Sequence, residues 1–189
     1  MKKLTDDEII ESVIRGNQND YSLLIDRYKD RAFTLLRSIL KNEMDAEEAL
    51  QDSFLKVYHS LSGFRNDAKF STWFYRIVYN TGLSCLTKKN RKIEKEMSSV
   101  EDHLELGQLD DNISFESEEL KIHLMNFIER LPIRNALVII LFYIDDLSLN
   151  EISQVLNLSL VNTKVLLHRS RNVLREILIK QNYQEEFIW

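Results

Sequence analysis

The sequence is poor in residues that break helices. It contains one proline and four glycines among 189 residues, and a fold built from turns and short strands usually needs more of both. This scarcity favours helices joined by short turns. Apolar residues make up 44% of the chain, which is enough to form a buried core. We therefore predict an all-α protein.

Cysteine and long apolar runs are also scarce. The single cysteine, Cys85, excludes a disulfide within the chain and suits a reducing cytoplasm. The longest apolar run, Ala136 to Ile144, has nine residues and is too short to span a bilayer. A polar, acidic segment follows Met1-Lys2-Lys3-Leu4, so no secretory signal is predicted. We expect a cytoplasmic protein with no membrane insertion.

Negative charge is concentrated in one internal segment. The chain carries a net charge of −5, but residues 1–92 carry +3, residues 93–119 carry −9 and residues 120–189 carry +1. Such asymmetry is typical of an acidic linker between modules. We predict two small helical domains, residues 1–92 and 117–189, joined by a flexible acidic linker, residues 93–116.

Helix-start signals divide the first domain. A capping box at Thr5 predicts a short first helix. Apolar residues at helical spacing predict a second helix from about Asp20 to Leu40. A second capping box, at Asp45, predicts the start of a third helix, and Ser71 can cap a fourth.

The second domain shows a comparable set of signals. Pro132 can start a helix, and the run Ala136 to Ile144 fits either a buried strand or a buried helix. We favour the helix because no partner strand is evident. A capping box at Ser148 starts a short helix, Asn157 suits a left-handed turn, and Ser159 can cap a final long helix.

The last two helices have the proportions of a helix-turn-helix, although an ordinary pair of packed helices would show the same spacing. In the final helix the predicted inward residues are Thr163, Leu167, Ser170 and Leu174. The predicted outward residues are polar or basic and can contact bases or phosphates: Asn162, Lys164, His168, Arg169 and Arg171.

A second constellation combines aromatic and basic side chains between residues 64 and 80. Its members are Phe64, Arg65, Phe70, Trp73, Tyr75, Arg76, Tyr79 and Asn80. Rings interleaved with cations suit single-stranded DNA, because unstacked bases can stack on them. Trp73, Arg76 and Asn80 share a helical face away from the predicted core. The alternative is that the rings are core, which we expect for Phe74 and leave open for Phe64 and Phe70.

Several segments resemble, in order, the extracytoplasmic-function group of bacterial RNA polymerase sigma factors. Residues Asp45 to Phe54 resemble the acidic motif of sigma region two, and Phe70 to Asn80 resemble the melting helix of that region. Leu131-Pro132, Leu147 to Ile152, Lys164 and His168-Arg169 resemble sigma region four. The resemblance covers residues 18–92 and 117–176.

The resemblance implies a factor without catalytic activity, cofactor or metal that binds core RNA polymerase, recognises promoter DNA and promotes strand opening. The polymerase-binding residues, toward the coiled coil of the β′ subunit, would be Asp45, Glu47, Glu48, Gln51 and Asp52. The minus-ten residues would be Phe64, Arg65, Phe70, Trp73, Arg76 and Asn80. The outward residues of the last helix would bind the minus-thirty-five element, region four would meet the β flap, and an anti-sigma protein is an expected partner.

The chain departs from the family at two places. Ser84 and Thr87 stand where the family usually has Asp and Arg. The segment Val161-Asn162-Thr163-Lys164 stands where the family usually has Gly-Thr-Val-Lys, and the apolar Val165 and Leu166 follow it. The promoter sequence therefore cannot be transferred from relatives.

Other classes of protein explain less of the sequence. A free-standing helix-turn-helix regulator would explain the end of the chain but not the motifs between Ala46 and Asn80. A sigma-like antagonist would bind protein partners without initiating transcription. An enzyme is not supported, because the sequence has no phosphate loop or nucleophile motif and its four histidines lack ligand spacing.

Overall fold

The computed structural model describes residues 4–97 and 124–180, and the side chains of residues 4–91 and 124–180. This part of the chain is helical and contains no strand. The elements are α1 (Asp6–Ile14), α2 (Tyr21–Leu40), α3 (Glu43–Ser60), α4 (Phe70–Met97), α5 (124–129), α6 (Ile133–Ile139), α7 (Leu149–Leu156) and α8 (Leu160–Lys180). The predicted all-α fold is confirmed.

The first module is built on α2, α3 and α4, which pack on one another, with α1 against α2. The helical apolar stripe of α2 supplies buried side chains such as Leu24, Leu35, Leu36 and Ile39. Helices α2 and α4 approach closely at Gly82, where an added Cβ would lie 2.8 Å from the Cδ1 of Ile39. A larger residue at this position would require the side chains of Ile39 and Leu36 to shift.

The second module packs α8 against α6 and α7. The run from Ala136 to Ile144 is helical, as we favoured: α6 ends at Ile139 and Ile140–Ile144 form one π-helical turn. The capping box at Ser148 is confirmed, because its hydroxyl accepts from the amide of Glu151. Asn157 is left-handed, with φ of 52°, as predicted.

Two predicted helix starts are wrong. Helix α3 begins at Glu43 rather than at Asp45, because the side chain of Asn42 accepts the amide N–H of Asp45 at 2.9 Å and caps the helix earlier. Helix α4 begins at Phe70 rather than after Ser71, and the amide of Trp73 already donates to the carbonyl of Lys69 at 3.2 Å. Phe70 is therefore a helix residue, not a loop residue.

The linker prediction falls mostly outside the described residues. Helix α4 continues through residues 93–97, beyond the predicted boundary at residue 92. The other residues of the predicted linker and the predicted start near Ser117 lie outside the described part of the chain.

Candidate polymerase and nucleic-acid interfaces

The helix-turn-helix geometry is present in the second module. Helix α7 and helix α8 are separated by three residues, and Ser159 accepts the amide N–H of Asn162 at 3.2 Å, which caps α8. The four side chains predicted to face inward are buried: Thr163, Leu167, Ser170 and Leu174. The five predicted to face outward are exposed: Asn162, Lys164, His168, Arg169 and Arg171. The predicted faces of α8 are confirmed.

Arg171 has partners within its own module. Its guanidinium carbon lies 5.5 Å from the ring centroid of Phe142 and 5.4 Å from that of Tyr143. A guanidinium at this distance from an aromatic face is attracted to it. Arg171 therefore braces α8 on the turn after α6 and is less available than Lys164 or Arg169 for a phosphate.

Three aromatic rings cluster at the start of α4. The ring centroid of Trp73 lies 5.0 Å from that of Phe64 and 5.8 Å from that of Phe70. Phe70 is buried and also contacts the ring of Tyr28. Phe64 and Trp73 are only partly buried. The sequence left open whether Phe64 and Phe70 belong to the core. Phe70 does, and it supports the cluster from below, whereas Phe64 lies at the surface beside Trp73.

Basic and amide side chains surround this cluster. Arg76 and Asn80 are both exposed on α4 and follow Trp73 at helical spacing. Arg65 is exposed in the preceding loop, with its Nε 3.5 Å from a carboxylate oxygen of Asp67. An exposed ion pair of this kind is weak and easily exchanged for another anion. This surface therefore presents aromatic rings and hydrogen-bond donors side by side.

The two positions where α4 departs from the sigma factor pattern that it resembles lie farther along the exposed side of the helix. Ser84 and Thr87 are both exposed. Their hydroxyls donate to backbone carbonyls one turn earlier, those of Asn80 and Leu83, each at 2.8 Å. Neither side chain carries charge, so this part of α4 has less electrostatic attraction for DNA than an arginine would supply.

The predicted polymerase-binding residues lie on α3. Glu47, Glu48, Gln51 and Asp52 are exposed. Asp45 is half-buried, and the ammonium of Lys89 on α4 lies 2.5 Å from its carboxylate. Asp45 therefore joins two helices of the module, while the other four side chains are available to a partner.

The sequence reasoning missed an apolar residue on the same acidic surface. Leu55 is 57% exposed and lies one turn beyond Gln51 and Asp52 on α3. It is out of register with the buried stripe of Ala46, Phe54 and Val57, and that mismatch is the signal that could have identified it. An exposed apolar side chain among charged ones adds area that a bound partner can bury.

The two modules contact each other through a buried acid. The hydroxyl of Tyr75 on α4 donates to a carboxylate oxygen of Asp145, after α6, at 2.7 Å. The Nε of Arg31 on α2 lies 3.8 Å from the same oxygen. Within the described part of the chain, the other carboxylate oxygen accepts no hydrogen bond. Burial raises the pKa of Asp145 to about 6, although Tyr75 and Arg31 both favour the charged form.

Further ion pairs line the same contact. Lys69, just before α4, lies 2.9 Å from a carboxylate oxygen of Glu151 on α7. Partial burial alone would raise the pKa of Glu151, but hydrogen bonds from Ser148 and Lys69 hold it below its usual value. Arg37 on α2 donates to the carboxylate of Glu129 on α5. The first helix of the helix-turn-helix thus lies against the helix that carries Trp73 and Arg76.

Residues 4–97 and 124–180 hold no group of three or more His, Cys, Asp or Glu side chains placed to bind a metal ion. Among the helices described, none combines the length and apolarity that crossing a bilayer requires.

Comparison with known proteins matches both modules to one family. Residues 24–92 match Sigma-70 region 2, and residues 123–174 match Sigma-70 region 4. The chain is 33% identical over 174 residues to the extracytoplasmic-function RNA polymerase sigma factor SigW of Bacillus subtilis, with 88% of this chain and 93% of that protein covered. This chain belongs to the extracytoplasmic-function sigma factors.

A second relative agrees with this assignment, and two solved structures have the same fold. The sigma-E factor of Salmonella typhimurium strain LT2 is 30% identical over 180 residues, which cover 92% of this chain and 94% of that protein. The same fold is found in CnrH bound to the cytosolic domain of CnrY, with a TM-score of 0.63, 22% identity and coverage of 91% and 96%. It is also found in the Bartonella quintana sigma factor RpoE bound to the anti-sigma factor NepR, with a TM-score of 0.66, 17% identity and coverage of 84% and 96%.

Membership of this sigma factor family establishes the general activity. Sigma factors bind core RNA polymerase and promoter DNA, and they regulate transcription initiation rather than catalyse a reaction themselves. This sigma factor therefore acts in transcription initiation.

Proposed function

We propose that this sigma factor divides the work of initiation among three surfaces of two domains. Residues 1–92 form the domain that binds core polymerase and the minus-ten element. Residues 117–189 form the domain that binds the minus-thirty-five element, and residues 93–116 are the acidic linker. The matched regions support this division, because they lie on either side of the acidic segment.

The acidic surface of α3 binds the β′ coiled coil of core polymerase. Glu47, Glu48, Gln51 and Asp52 are exposed together, and Leu55 adds an exposed apolar side chain beside them. Carboxylates at the rim of an interface raise the association rate with a basic partner, and a central apolar anchor slows dissociation. Asp45 supports this surface through Lys89 rather than by direct contact.

The aromatic cluster at the start of α4 holds the opened strand of the minus-ten element. Trp73 and Phe64 present partly exposed rings that contact each other. A base that leaves the duplex loses its stacking, and an aromatic ring can restore about 1–3 kcal/mol per base. Arg76 and Asn80 are positioned to contact the same strand, Arg65 reaches it from the loop, and Phe70 supports the rings from the core.

Helix α8 binds the minus-thirty-five element in the major groove. Lys164 and Arg169 neutralise phosphates, Asn162 and His168 reach base edges, and Arg171 braces the helix on Phe142 and Tyr143. The β flap of polymerase holds this domain in place. An isolated domain with so few free cations would bind duplex weakly, so attachment to polymerase supplies much of the effective affinity.

The sigma factor works in the cytoplasm, where polymerase is found, and performs no catalysis or cofactor chemistry of its own. An anti-sigma protein is a further partner, because two structural neighbours, CnrH with CnrY and RpoE with NepR, are complexes of this fold with a second protein. Such a partner would compete with polymerase for the exposed surfaces of one or both domains.

The observation that carries the proposal is the exposure of Arg76 and Asn80 beside the Trp73 cluster, in a module that also has the free acidic surface of α3. Run-off transcription with core polymerase and genomic fragments tests it. We expect discrete start sites that need both proteins. Binding to duplex operators without polymerase would indicate a free-standing regulator, and inhibition of other sigma factors without new transcripts would indicate an antagonist.

A further inference from the structure

The outermost line of α8 is apolar in its first two turns. Successive residues of an α-helix are rotated by about 100° around its axis. The buried Thr163, Leu167 and Leu174 mark the direction toward the core. The opposite direction passes through Val161 and Val165, which are one turn apart. These two residues, which we call the valine pair, therefore point farthest away from the rest of the protein.

The valine pair is well exposed. Val161 is 69% exposed and Val165 is 42% exposed. A β-branched residue loses side-chain freedom in a helix and stabilises it less than alanine would. An exposed valine also gains little from burial that could offset this cost. The stability of α8 therefore does not explain these side chains, whereas a contact with a bound partner would account for them.

The charged residues beside the valine pair indicate which kind of partner it contacts. Lys164 and Arg169 are both exposed and lie on either side of the apolar line. Cations that flank an outward-facing helix suit a groove bordered by phosphates on both strands. In a helix-turn-helix the first residues of the second helix contact base edges. The valine pair lies in those first two turns, where it would meet the floor of the major groove.

We propose that the valine pair reads thymine methyl groups in the minus-thirty-five element and biases that element toward thymine at the positions it faces. The inference rests on the proposed function of α8. Valine cannot hydrogen-bond to a base edge, but the C5 methyl group of thymine projects into the major groove and is recognised by apolar contact. Val161 and Val165 thus determine specificity, while Lys164 and Arg169 hold the helix on the phosphates.

The test replaces thymine by uracil, which keeps every hydrogen-bonding group and removes only the methyl. Holoenzyme made from the full chain and core polymerase first selects its sites from duplexes with a randomised upstream element. Each selected thymine is then replaced by uracil. We expect about a three- to fivefold loss of affinity at each contacted position, the value of one buried methyl. Val161→Ala or Val165→Ala should remove the difference between thymine and uracil at its own position.

A matched control separates this effect from a general change in α8. Ile179 is exposed to the same extent as Val165, 42%, but lies at the far end of the helix. Ile179→Ala should leave the thymine preference unchanged. A loss of preference in this control would overturn the assignment to the valine pair.

The outcomes distinguish this inference from the proposed function beneath it. If uracil binds as well as thymine while Lys164→Ala weakens binding, α8 contacts DNA but the valine pair does not read methyl groups. If neither change matters, α8 does not bind the upstream element and both proposals fail. If the valine variants weaken core binding and leave thymine preference intact, the pair is a protein-binding surface and the inference is wrong.

Discussion

The hydroxyl of Tyr75 donates to the carboxylate of Asp145 at 2.7 Å, and this hydrogen bond joins the two modules of the sigma factor. Both side chains are buried, so the contact replaces water at two polar groups. In the proposed function the two modules bind different promoter elements. A movement of one module away from the other would break this hydrogen bond.

Removal of the hydroxyl should weaken the contact between the modules. Tyr75→Phe leaves Asp145 buried without its hydrogen-bond donor, and a hydrogen bond to a charged group contributes about 1.5–3 kcal/mol. We expect the free energy of unfolding, measured with urea, to fall by about that amount. Tyr79→Phe is the control, because Tyr79 is also buried on α4 and no hydrogen bond of its hydroxyl is found in the described part of the chain. Equal losses in both variants would contradict this assignment.

The buried acid should make stability depend on pH. The pKa of Asp145 is raised to about 6 in the folded protein, above its value of about 4 in an unfolded chain. Folding therefore favours the protonated form of Asp145. Burial of the ionised carboxylate lowers the stability of the fold by its full amount above pH 6, and this loss of stability disappears as pH falls from about 6 to 4. Asp145→Asn places no ionisable group at this position, and its amide oxygen can still accept the hydrogen bond from Tyr75.

We therefore expect the free energy of unfolding of the wild type, relative to that of Asp145→Asn, to rise by about 2 kcal/mol as pH falls from about 7.5 to 4.5. Urea unfolding of both proteins across this range measures the difference, and the comparison cancels most effects of other carboxylates. Glu48→Gln, which replaces an exposed acid on α3, serves as the control. A difference that does not change with pH would show that Asp145 titrates normally.

Reversal of charge on α3 should reduce binding to core polymerase. Glu48→Lys combined with Asp52→Lys replaces two exposed carboxylates by cations, and we expect at least a tenfold lower affinity because like charges then meet at the interface. Helical circular dichroism should be unchanged. The control reverses Asp30 and Glu176, two exposed acids outside α3. A comparable loss in the control would indicate a general effect of net charge.

Leu55 offers a second probe of the same surface. Leu55→Ala removes an exposed side chain, so the fold should keep its stability within about 0.5 kcal/mol. If Leu55 is buried against polymerase, dissociation should become faster by about tenfold, since interface anchors commonly cost more than 1 kcal/mol on truncation. Biolayer interferometry with immobilised core polymerase gives both rates. An unchanged dissociation rate would remove Leu55 from the interface.

Loss of polar groups on α4 should impair strand opening more than polymerase binding. Arg76 and Asn80 are exposed, so Arg76→Ala with Asn80→Ala should not disturb the core. We expect the affinity for core polymerase to be unchanged and the amount of open complex to fall by about tenfold, because contacts to the unpaired strand are lost. Ser84→Ala, farther along the same exposed side, is the control. Equal loss of both activities would mean that the residues support the fold.

Local sequence signals predicted the faces of the helices better than their ends. The buried and exposed sides of α8 follow from apolar spacing alone, and the structure agrees at Thr163, Leu167 and Ser170. The start of α3 was misplaced because Asn42 and Asp45 are both good caps, and only the backbone geometry decides between them.

Contacts between distant parts of the chain left no periodic signal. Tyr75 and Asp145 are separated by 70 positions, and neither lies in a motif that predicts the other. The interaction of Arg171 with Phe142 and Tyr143 is similar, since an arginine on an outward face is expected to reach solvent or phosphate. Such pairs depend on how the helices pack, which composition and spacing do not determine.

We expect this chain to give core polymerase the ability to recognise and open a promoter. Permanganate footprinting measures it directly, because the reagent oxidises thymines that have left the duplex. With a promoter fragment found by run-off transcription, we predict reactive thymines in the minus-ten element only when both core polymerase and the chain are present. Thymines that stay unreactive in a fully bound complex would contradict the account.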